Sequence, residues 1–166
     1  SLRYKTHSPA TLVVFQLLQI EKLKRTPLHK RIGLSITNFN DDNIIKVQEK
    51  DFAKKFTNLG YSIKWINRIQ PSDNGGYIPT NDFQWNSKEW ELKKPKVKRY
   101  NSIFNMIKKA TNKGKKRFIL DFRQSSINRK LAENLSTYNI RNPHKQILEL
   151  LVFEKHTLMR ILLKKK

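Results

Sequence analysis

The residues of this sequence best suited to chemistry lie in one short stretch, where carboxylates and lysines are interleaved. Asp82, Glu89 and Glu91 fall within ten residues of one another, and Lys93 follows Glu91 by two positions. In an extended strand, residues two positions apart face the same side, so Glu91 and Lys93 would lie next to each other. A carboxylate can move a proton, and an ammonium group can hold the negative charge that grows on phosphorus oxygens during phosphodiester cleavage. The spacing therefore indicates a site suited to phosphodiester chemistry.

The rest of the chain surrounds that stretch with positive charge. It carries 35 Lys and Arg against 13 Asp and Glu, for a formal net charge of +22, and residues 93–117 hold no carboxylate. Neutralising phosphates releases condensed counterions, so such a charge favours a nucleic-acid partner. An anionic membrane would require a basic amphipathic helix, whereas the basic residues here fall mostly between apolar elements. We therefore expect nucleic acid as the partner and no membrane association of the domain.

The composition is that of a folded domain. Of the 166 residues, 37% are apolar and 10% aromatic, which is enough to build a core. The chain has no cysteine, which excludes disulfides and thiolate metal sites. The apolar run at residues 11–20 is too short to span a bilayer. Because the sequence starts at Ser1 and not at Met, we expect a fragment of a longer protein.

Hydrophobic periodicity predicts an α+β fold. Helical spacing marks residues 9–24, 48–59, 100–112 and 127–135. Apolar runs that alternate or continue predict strands at residues 61–66, 82–85, 89–92, 117–122, 147–153 and 157–163. We expect a small, mostly antiparallel twisted sheet packed against helices, with residues 1–47 as a helical N-terminal segment or linker and residues 48–166 as the main domain.

The hairpin at residues 82–92 sorts the side chains by face. Period-two geometry places Trp90 and Leu92 on one face and Glu89, Glu91 and Lys93 on the other. The two tryptophans of the hairpin are predicted to anchor the core, because a small sheet needs bulky packing against its helix.

From about residue 48 onward, the sequence resembles the C-terminal toxin domains of contact-dependent growth-inhibition effectors of the CdiA type and related polymorphic nuclease toxins. The resemblance depends on the segments "DFAKKFTNLGYSIKWI", "PTNDF", "EWELKKPK", "YNSIFNMIKKA", "RFILDF" and "ILELLVFEKHTLMRIL". It implies a metal-independent endoribonuclease toxin that cuts tRNA, with a fold of the barnase, EndoU, colicin and RelE kind. It also implies a cognate acidic immunity protein and, for some relatives, elongation factor Tu as a partner. Such a toxin would be a secreted or cell-surface effector fragment delivered into the cytoplasm of target bacteria, and residues 1–47 would serve as a linker or help it to enter the cell.

The resemblance further implies roles for individual residues. Glu91 would be the general base that activates a ribose 2′-hydroxyl, Lys93 and Arg123 would stabilise the phosphorane, and His156 would protonate the leaving oxygen. The other residues with an implied catalytic or orienting role are Asp121, Ser125 and Thr157, and His144 is the reserve acid. The predicted substrate-binding residues are Lys94, Lys96, Lys98, Arg99, Ser125 and His144. A cyclic phosphate would be the product.

Two alternatives remain open from the residues themselves. Asp82 followed by Glu91-Leu92-Lys93 also satisfies the pattern of the PD-(D/E)XK nucleases, in which two carboxylates hold Mg²⁺ and the lysine positions a water that attacks DNA or tRNA. In that alternative Asp82 and Glu91 are the metal ligands, and Asn81 stands where proline is expected. The other alternative is a non-catalytic nucleic-acid-binding module, in which Glu91 only forms an ion pair on a solvated face.

Overall fold

The computed structural model of this chain describes residues 20–22, 36–37, 47–66, 75 and 80–165. Its elements are β1 (Ile20–Lys22), β2 (Ile36–Thr37), α1 (Val47–Asn58), β3 (Ile63–Trp65), β4 (Phe83–Trp85), β5 (Lys88–Lys93), α2 (Tyr100–Thr111), β6 (Arg117–Asp121), α3 (Arg129–Ser136), α4 (Tyr138–Arg141), β7 (Glu149–Glu154) and β8 (Thr157–Ile161). Among these residues, no helix is both long and apolar enough to cross a membrane. The predicted α+β class is confirmed.

The strands form one sheet in the order β1-β8-β7-β6-β5-β4-β3-β2. The pairs β2–β3, β5–β6 and β6–β7 are parallel, and the other neighbours are antiparallel. The sheet is therefore mixed and larger than the mostly antiparallel one that the sequence predicts. The parallel pairs β5–β6 and β6–β7 arise because their connections contain helices: α2 joins β5 to β6, and α3 with α4 joins β6 to β7. Such long connections return the chain to the end of the sheet where the previous strand began.

Each face of the sheet carries its own core. On one face, α1 packs with Phe52 and Phe56 against strand residues such as Phe83, Trp90 and Phe153. On the other face, α2, α3 and α4 cover a second apolar cluster, which is built from Ile103, Ile107, Phe118, Leu120, Leu135, Tyr138, Leu150 and Val152 among others. Because β6 lies between the two cores, its apolar run Phe118–Leu120 is fully buried.

The β4–β5 hairpin sets the register of the region that contains the predicted site. Asn86 and Ser87 have φ values of 54° and 59°, which is the backbone of the two-residue turn that matches strand twist. Phe83 pairs with Trp90 across the hairpin, and the indole N–H of Trp90 donates to the Trp85 carbonyl at 3.1 Å. The predicted hairpin and its sorting of side chains are confirmed, since Trp90 lies in the α1 core.

The predicted helix at residues 9–24 is wrong at Ile20–Lys22. These residues form the strand β1, in which Ile20 pairs with Ile161 of β8. Without β1, β8 would be the edge of the sheet and its outer backbone groups would be unpaired, and pairing with them outweighs the helical periodicity of a short apolar run. The remainder of that predicted helix lies outside the described residues. The division of the chain at residue 47 stays a prediction.

Phe56 is the best test of the α1 core. Its ring centroid lies 5.2 Å from that of Phe52, 4.9 Å from that of Tyr61 and 5.2 Å from that of Trp85. We expect Phe56→Ala to lower the free energy of unfolding by about 3 to 5 kcal/mol, because it removes a ring and leaves a cavity. Urea unfolding measures this loss. Val47→Ala is the control, since Val47 is 81% exposed at the start of the same helix. If Phe56→Ala lowered the free energy of unfolding no more than Val47→Ala does, this description of the core would be contradicted.

Candidate active site

Glu91 lies on β5 and lines a cavity between the sheet and α2. It is in register with Phe118 of β6, and it is 9% exposed. The cavity measures about 240 Å³ and is lined by Glu91, Lys93, Met106, Lys109, Ala110, Lys113 and Lys115. Glu91 is thus the one carboxylate among the residues that line this cavity, and four lysines face it.

Two ammonium groups hold the Glu91 carboxylate. Lys93 Nζ donates to Oε1 at 2.8 Å. Lys115 Nζ lies 3.2 Å from Oε2 as an ion pair, outside hydrogen-bond geometry. The side chain of Lys115 is only 5% exposed, and that of Glu91 is 11% exposed. A carboxylate in this position is nearly buried and is surrounded by more positive than negative charge, which favours the approach of a phosphate.

Asp82 directly precedes β4, at the open end of the β4–β5 hairpin, where the two strands separate; this point is called the fork below. Its N–H donates to the Trp90 carbonyl at 3.0 Å, and its Oδ2 accepts from the Leu92 N–H at 2.7 Å. The side chain of Asp82 thus takes the place of a main-chain acceptor at the end of the ladder. Since Phe83 pairs with Trp90, Asp82 lies one step further along, opposite Glu91. The structure therefore brings together Asp82, Glu91 and Lys93, as the spacing of these residues predicts.

The donor set at this fork suits a divalent cation only in part. Mg²⁺ often binds one or two carboxylates and completes its shell with water and phosphate, and Asp82 with Glu91 would supply two. Within the described part of the chain, no three His, Cys, Asp or Glu side chains converge on such a position. Oxygens of both carboxylates already accept or form ion pairs. A cation held by Glu91 would therefore have to displace an ammonium group.

Asp121 and Arg123 lie on the opposite face of the sheet from Glu91. Asp121 is in register with Phe153, whose ring belongs to the α1 core. Arg123 Nε donates to Asp121 Oδ1 at 2.8 Å, and Arg123 Nη1 donates to Asp51 Oδ2 of α1 at 2.7 Å. The guanidinium also lies over the ring of Phe52, 6.0 Å from its centroid. These contacts make Arg123 a bridge between β6 and α1, and the structure does not place it with Glu91.

The charges in this bridge stabilise one another. Burial opposes the charge of Arg123, but its bonds to Asp121 and Asp51 raise the pKa of the guanidinium above its ordinary value. Desolvation likewise opposes ionisation of Asp51, but Arg123 and then Lys55 hold the pKa of that carboxyl below its ordinary value. Arg123 and Asp51 are therefore both charged at neutral pH.

The remaining predicted residues do not line the Glu91 cavity. His156 is exposed in the β7–β8 turn, next to Thr157, and the adjoining Lys155 N–H donates to the Arg123 carbonyl at 3.0 Å. Lys98 contacts Ser125 Oγ and lies over the ring of Phe122. The other predicted substrate-binding residues, all of them exposed, are Lys94, Lys96, Arg99 and His144. The roles predicted for all of these residues stay predictions, and none of the residues lines the cavity that holds Glu91 and Lys93.

Sequence reasoning did not single out Lys109, Lys113 and Lys115 as part of the site. They lie at the end of α2 and in the turn after it, where Gly114 with φ of 82° lets the chain reverse toward β6. A usable signal existed, since a helix between two parallel strands brings its C-terminal end to the start of the second strand. The face toward which each lysine points could not be read from that signal.

Substitution of Arg123 distinguishes a structural bridge from a catalytic group. We expect Arg123→Met to lower the free energy of unfolding by about 3 to 5 kcal/mol, because it leaves the buried Asp121 without its cation. Urea unfolding is the measurement. Arg129→Met is the matched control, since Arg129 pairs with Glu133 on an exposed helix surface and its loss should stay within about 0.5 kcal/mol. Unchanged stability of Arg123→Met, together with lost activity, would restore the catalytic assignment.

Comparisons with known proteins agree with this fold. Residues 79–158 match the family described as the contact-dependent growth inhibition CdiA C-terminal domain. The fold is similar to a chain of the CdiA-CT/CdiI toxin and immunity complex from Burkholderia pseudomallei, with 13% sequence identity, a TM-score of 0.54, and coverage of 76% of this chain and 98% of that one. A search of curated proteins gave no match. The matched segment contains Asp82, Glu91, Lys93 and Lys115, so the part of this chain that is similar to the CdiA C-terminal domain is the part that holds the candidate site.

Proposed function

We propose that this chain contains an antibacterial toxin domain of the CdiA type, and that the domain is an endoribonuclease that cuts tRNA at the Glu91 cavity. The observation that carries the proposal is the nearly buried Glu91 carboxylate between Lys93 and Lys115, in a cavity that Lys109 and Lys113 also line. Four ammonium groups facing one carboxylate leave an excess of positive charge, which a phosphodiester would neutralise. The choice of tRNA follows from the resemblance to tRNA-cutting toxins and from the net charge of +22.

In the metal-independent form of the reaction, the incoming phosphate draws the Lys93 ammonium group away from Glu91 Oε1, while Lys115 stays beside Oε2. Glu91 then accepts the proton of the ribose 2′-hydroxyl, whose oxygen attacks phosphorus. Lys93, Lys109 and Lys113 stabilise the charge on the non-bridging oxygens. The bond to the 5′-oxygen breaks, and that oxygen takes a proton from an ammonium group of the cavity, because His156 does not line it. The products carry a 2′,3′-cyclic phosphate and a free 5′-hydroxyl.

A specific observation favours the PD-(D/E)XK form as a second candidate. The order α1, β3, β4, β5, α2, β6 is the core order of that family, and Asp82 lies at the β4–β5 fork opposite Glu91. Asp82 and Glu91 would hold Mg²⁺, and Lys93 would orient the attacking water. The metal ion, when bound, would supply Lewis-acid stabilisation of the phosphate. Cleavage by water leaves a terminal phosphomonoester and no cyclic phosphate, so the two forms differ in their products.

The partners of this domain follow from its charge and its family. We propose an acidic cognate immunity protein, because the similar solved structure is a complex of a toxin with its immunity protein and because such a partner would complement the excess of basic residues here. Delivery into the cytoplasm of target bacteria belongs to the same proposal. The interaction with elongation factor Tu stays a prediction from the resemblance.

Substitution of Glu91 tests the proposed function. We expect Glu91→Gln to lower the rate of tRNA cleavage by roughly 10² to 10⁴-fold, because the amide cannot accept a proton. Incubation of purified protein with total tRNA and analysis of the fragments by gel gives the rate. Glu89→Gln is the matched control, because Glu89 is an exposed residue on the same strand that accepts from Asn81 Nδ2 at 2.9 Å. Cleavage by Glu91→Gln at the wild-type rate would refute the assignment, and intact tRNA at a high excess of the wild-type protein would favour the non-catalytic module.

Chelation separates the two forms of the reaction. We expect cleavage to continue in EDTA and to leave 2′,3′-cyclic phosphate ends, because ammonium groups already contact both oxygens of Glu91. Loss of cleavage in EDTA, recovery on addition of Mg²⁺ and phosphomonoester ends would together assign the site to the PD-(D/E)XK form. Chemical analysis of the fragment ends provides a readout that does not depend on the rate.

A further inference from the structure

Lys115 is a buried lysine, whereas most of the other lysines that the structure describes are exposed or half-buried. It follows Gly114, and its N–H donates to the Ala110 carbonyl at 3.2 Å while that of Gly114 donates to Thr111, the bonding pattern that ends a helix in a reversal of the chain. Its side chain is 5% exposed. Because a buried ammonium group is costly without partners, the contacts of Lys115 explain why it can stay there.

The partners of Lys115 lie on two different segments. Its Nζ donates to the carbonyl of Thr80, and it lies 3.2 Å from Oε2 of Glu91. Thr80 is two residues before Asp82, whose own Oδ2 accepts from the N–H of Leu92 at 2.7 Å. The segment before β4 is therefore connected to β5 twice. Lys115 connects Thr80 to Glu91, and Asp82 bonds directly to Leu92.

We propose that Lys115 is a positioning residue that holds the segment carrying Asp82 against Glu91. Neutralising Glu91 does not require it, since Lys93 already pairs with the other oxygen at 2.8 Å. Lys115 adds an ion pair to the second oxygen of the carboxylate and a hydrogen bond to the backbone carbonyl of Thr80. Without it, the Glu91 carboxylate could rotate toward Lys93, and the fork between β4 and β5 could widen.

The kinetic consequence rests on the proposed nuclease function. A displacement of about 1 Å at a catalytic group costs on the order of 100-fold in rate, so we expect Lys115→Met to lower the cleavage rate at saturating tRNA by about that factor. The KM for tRNA should change little, because Lys93, Lys109 and Lys113 still line the cavity. Lys115→Arg keeps a donor for both partners and should recover part of the rate. If Lys115 had only a structural role, its substitution would not lower kcat while leaving KM unchanged. Nor would Lys115→Arg recover kcat relative to a Lys115→Met protein of the same stability.

Lys116→Met is the matched control. It removes the same charge one residue further on, from an exposed side chain whose Nζ contacts the Gln146 carbonyl at 3.3 Å. We expect its kcat to equal that of the wild-type protein. If Lys115→Met kept the wild-type kcat, or lost only affinity, the positioning role would be overturned.

Amide hydrogen exchange tests, independently of any activity, whether Lys115 holds the segment before β4 against β5. In Lys115→Met, the amides of Leu92 and Asp82 should exchange at least about tenfold faster, since local opening frees both bonds across the fork. The Phe122 amide, bonded to the Phe153 carbonyl at 2.7 Å, should keep its rate and so report global stability. Unchanged exchange at Leu92 and Asp82 would refute this role of Lys115, whether or not the protein cuts tRNA. Intact tRNA with the wild-type protein would refute the nuclease proposal instead, and accelerated exchange would still support the positioning role.

Discussion

The organisation of this domain depends on a scarcity of negative charge. The chain has 13 acidic residues against 35 basic ones, and two of its least exposed carboxylates, Glu91 and Glu149, each pair with several cations. Glu91 serves Lys93 and Lys115, and Glu149 lies within 4 Å of Lys88, Arg117 and Arg160 from three other strands. Glu149 thus joins side chains from four strands of the sheet, and Glu91 joins β5 to the turn after α2. The excess positive charge that remains is the charge that a polyanionic substrate would meet.

The sheet divides the chemistry into two regions. Alternation along β6 turns Phe118 toward the face that Glu91 shares and Asp121 toward the face covered by α1. Arg123 is therefore committed to Asp121 and Asp51, where it fastens α1 to the sheet. A substrate phosphate at Glu91 would meet the lysines of β5 and of the turn after α2. Because of this separation, the proposed reaction depends on a set of lysines and not on a histidine and an arginine.

The predictions that were confirmed depend on local rules. The β4–β5 hairpin and the face that carries Trp90 follow from turn geometry and period-two alternation. The strand β1 was missed because its conformation depends on β8, which is more than a hundred residues away in sequence. The parallel pairing of β5, β6 and β7 was missed for a similar reason, since a strand shows its direction only relative to its neighbours.

The sequence by itself determined that this chain folds as an α+β domain, that it has a large excess of positive charge, and that Asp82, Glu91 and Lys93 share one hairpin. Those properties depend on composition and on residues close to one another in the chain. Only the tertiary structure decided that Lys115 joins this group and that Arg123 lies apart from it. The physical reason is that a crossover helix and the two faces of a sheet fix which distant side chains meet, and neither the path of the helix nor the side that it covers is written in local spacing.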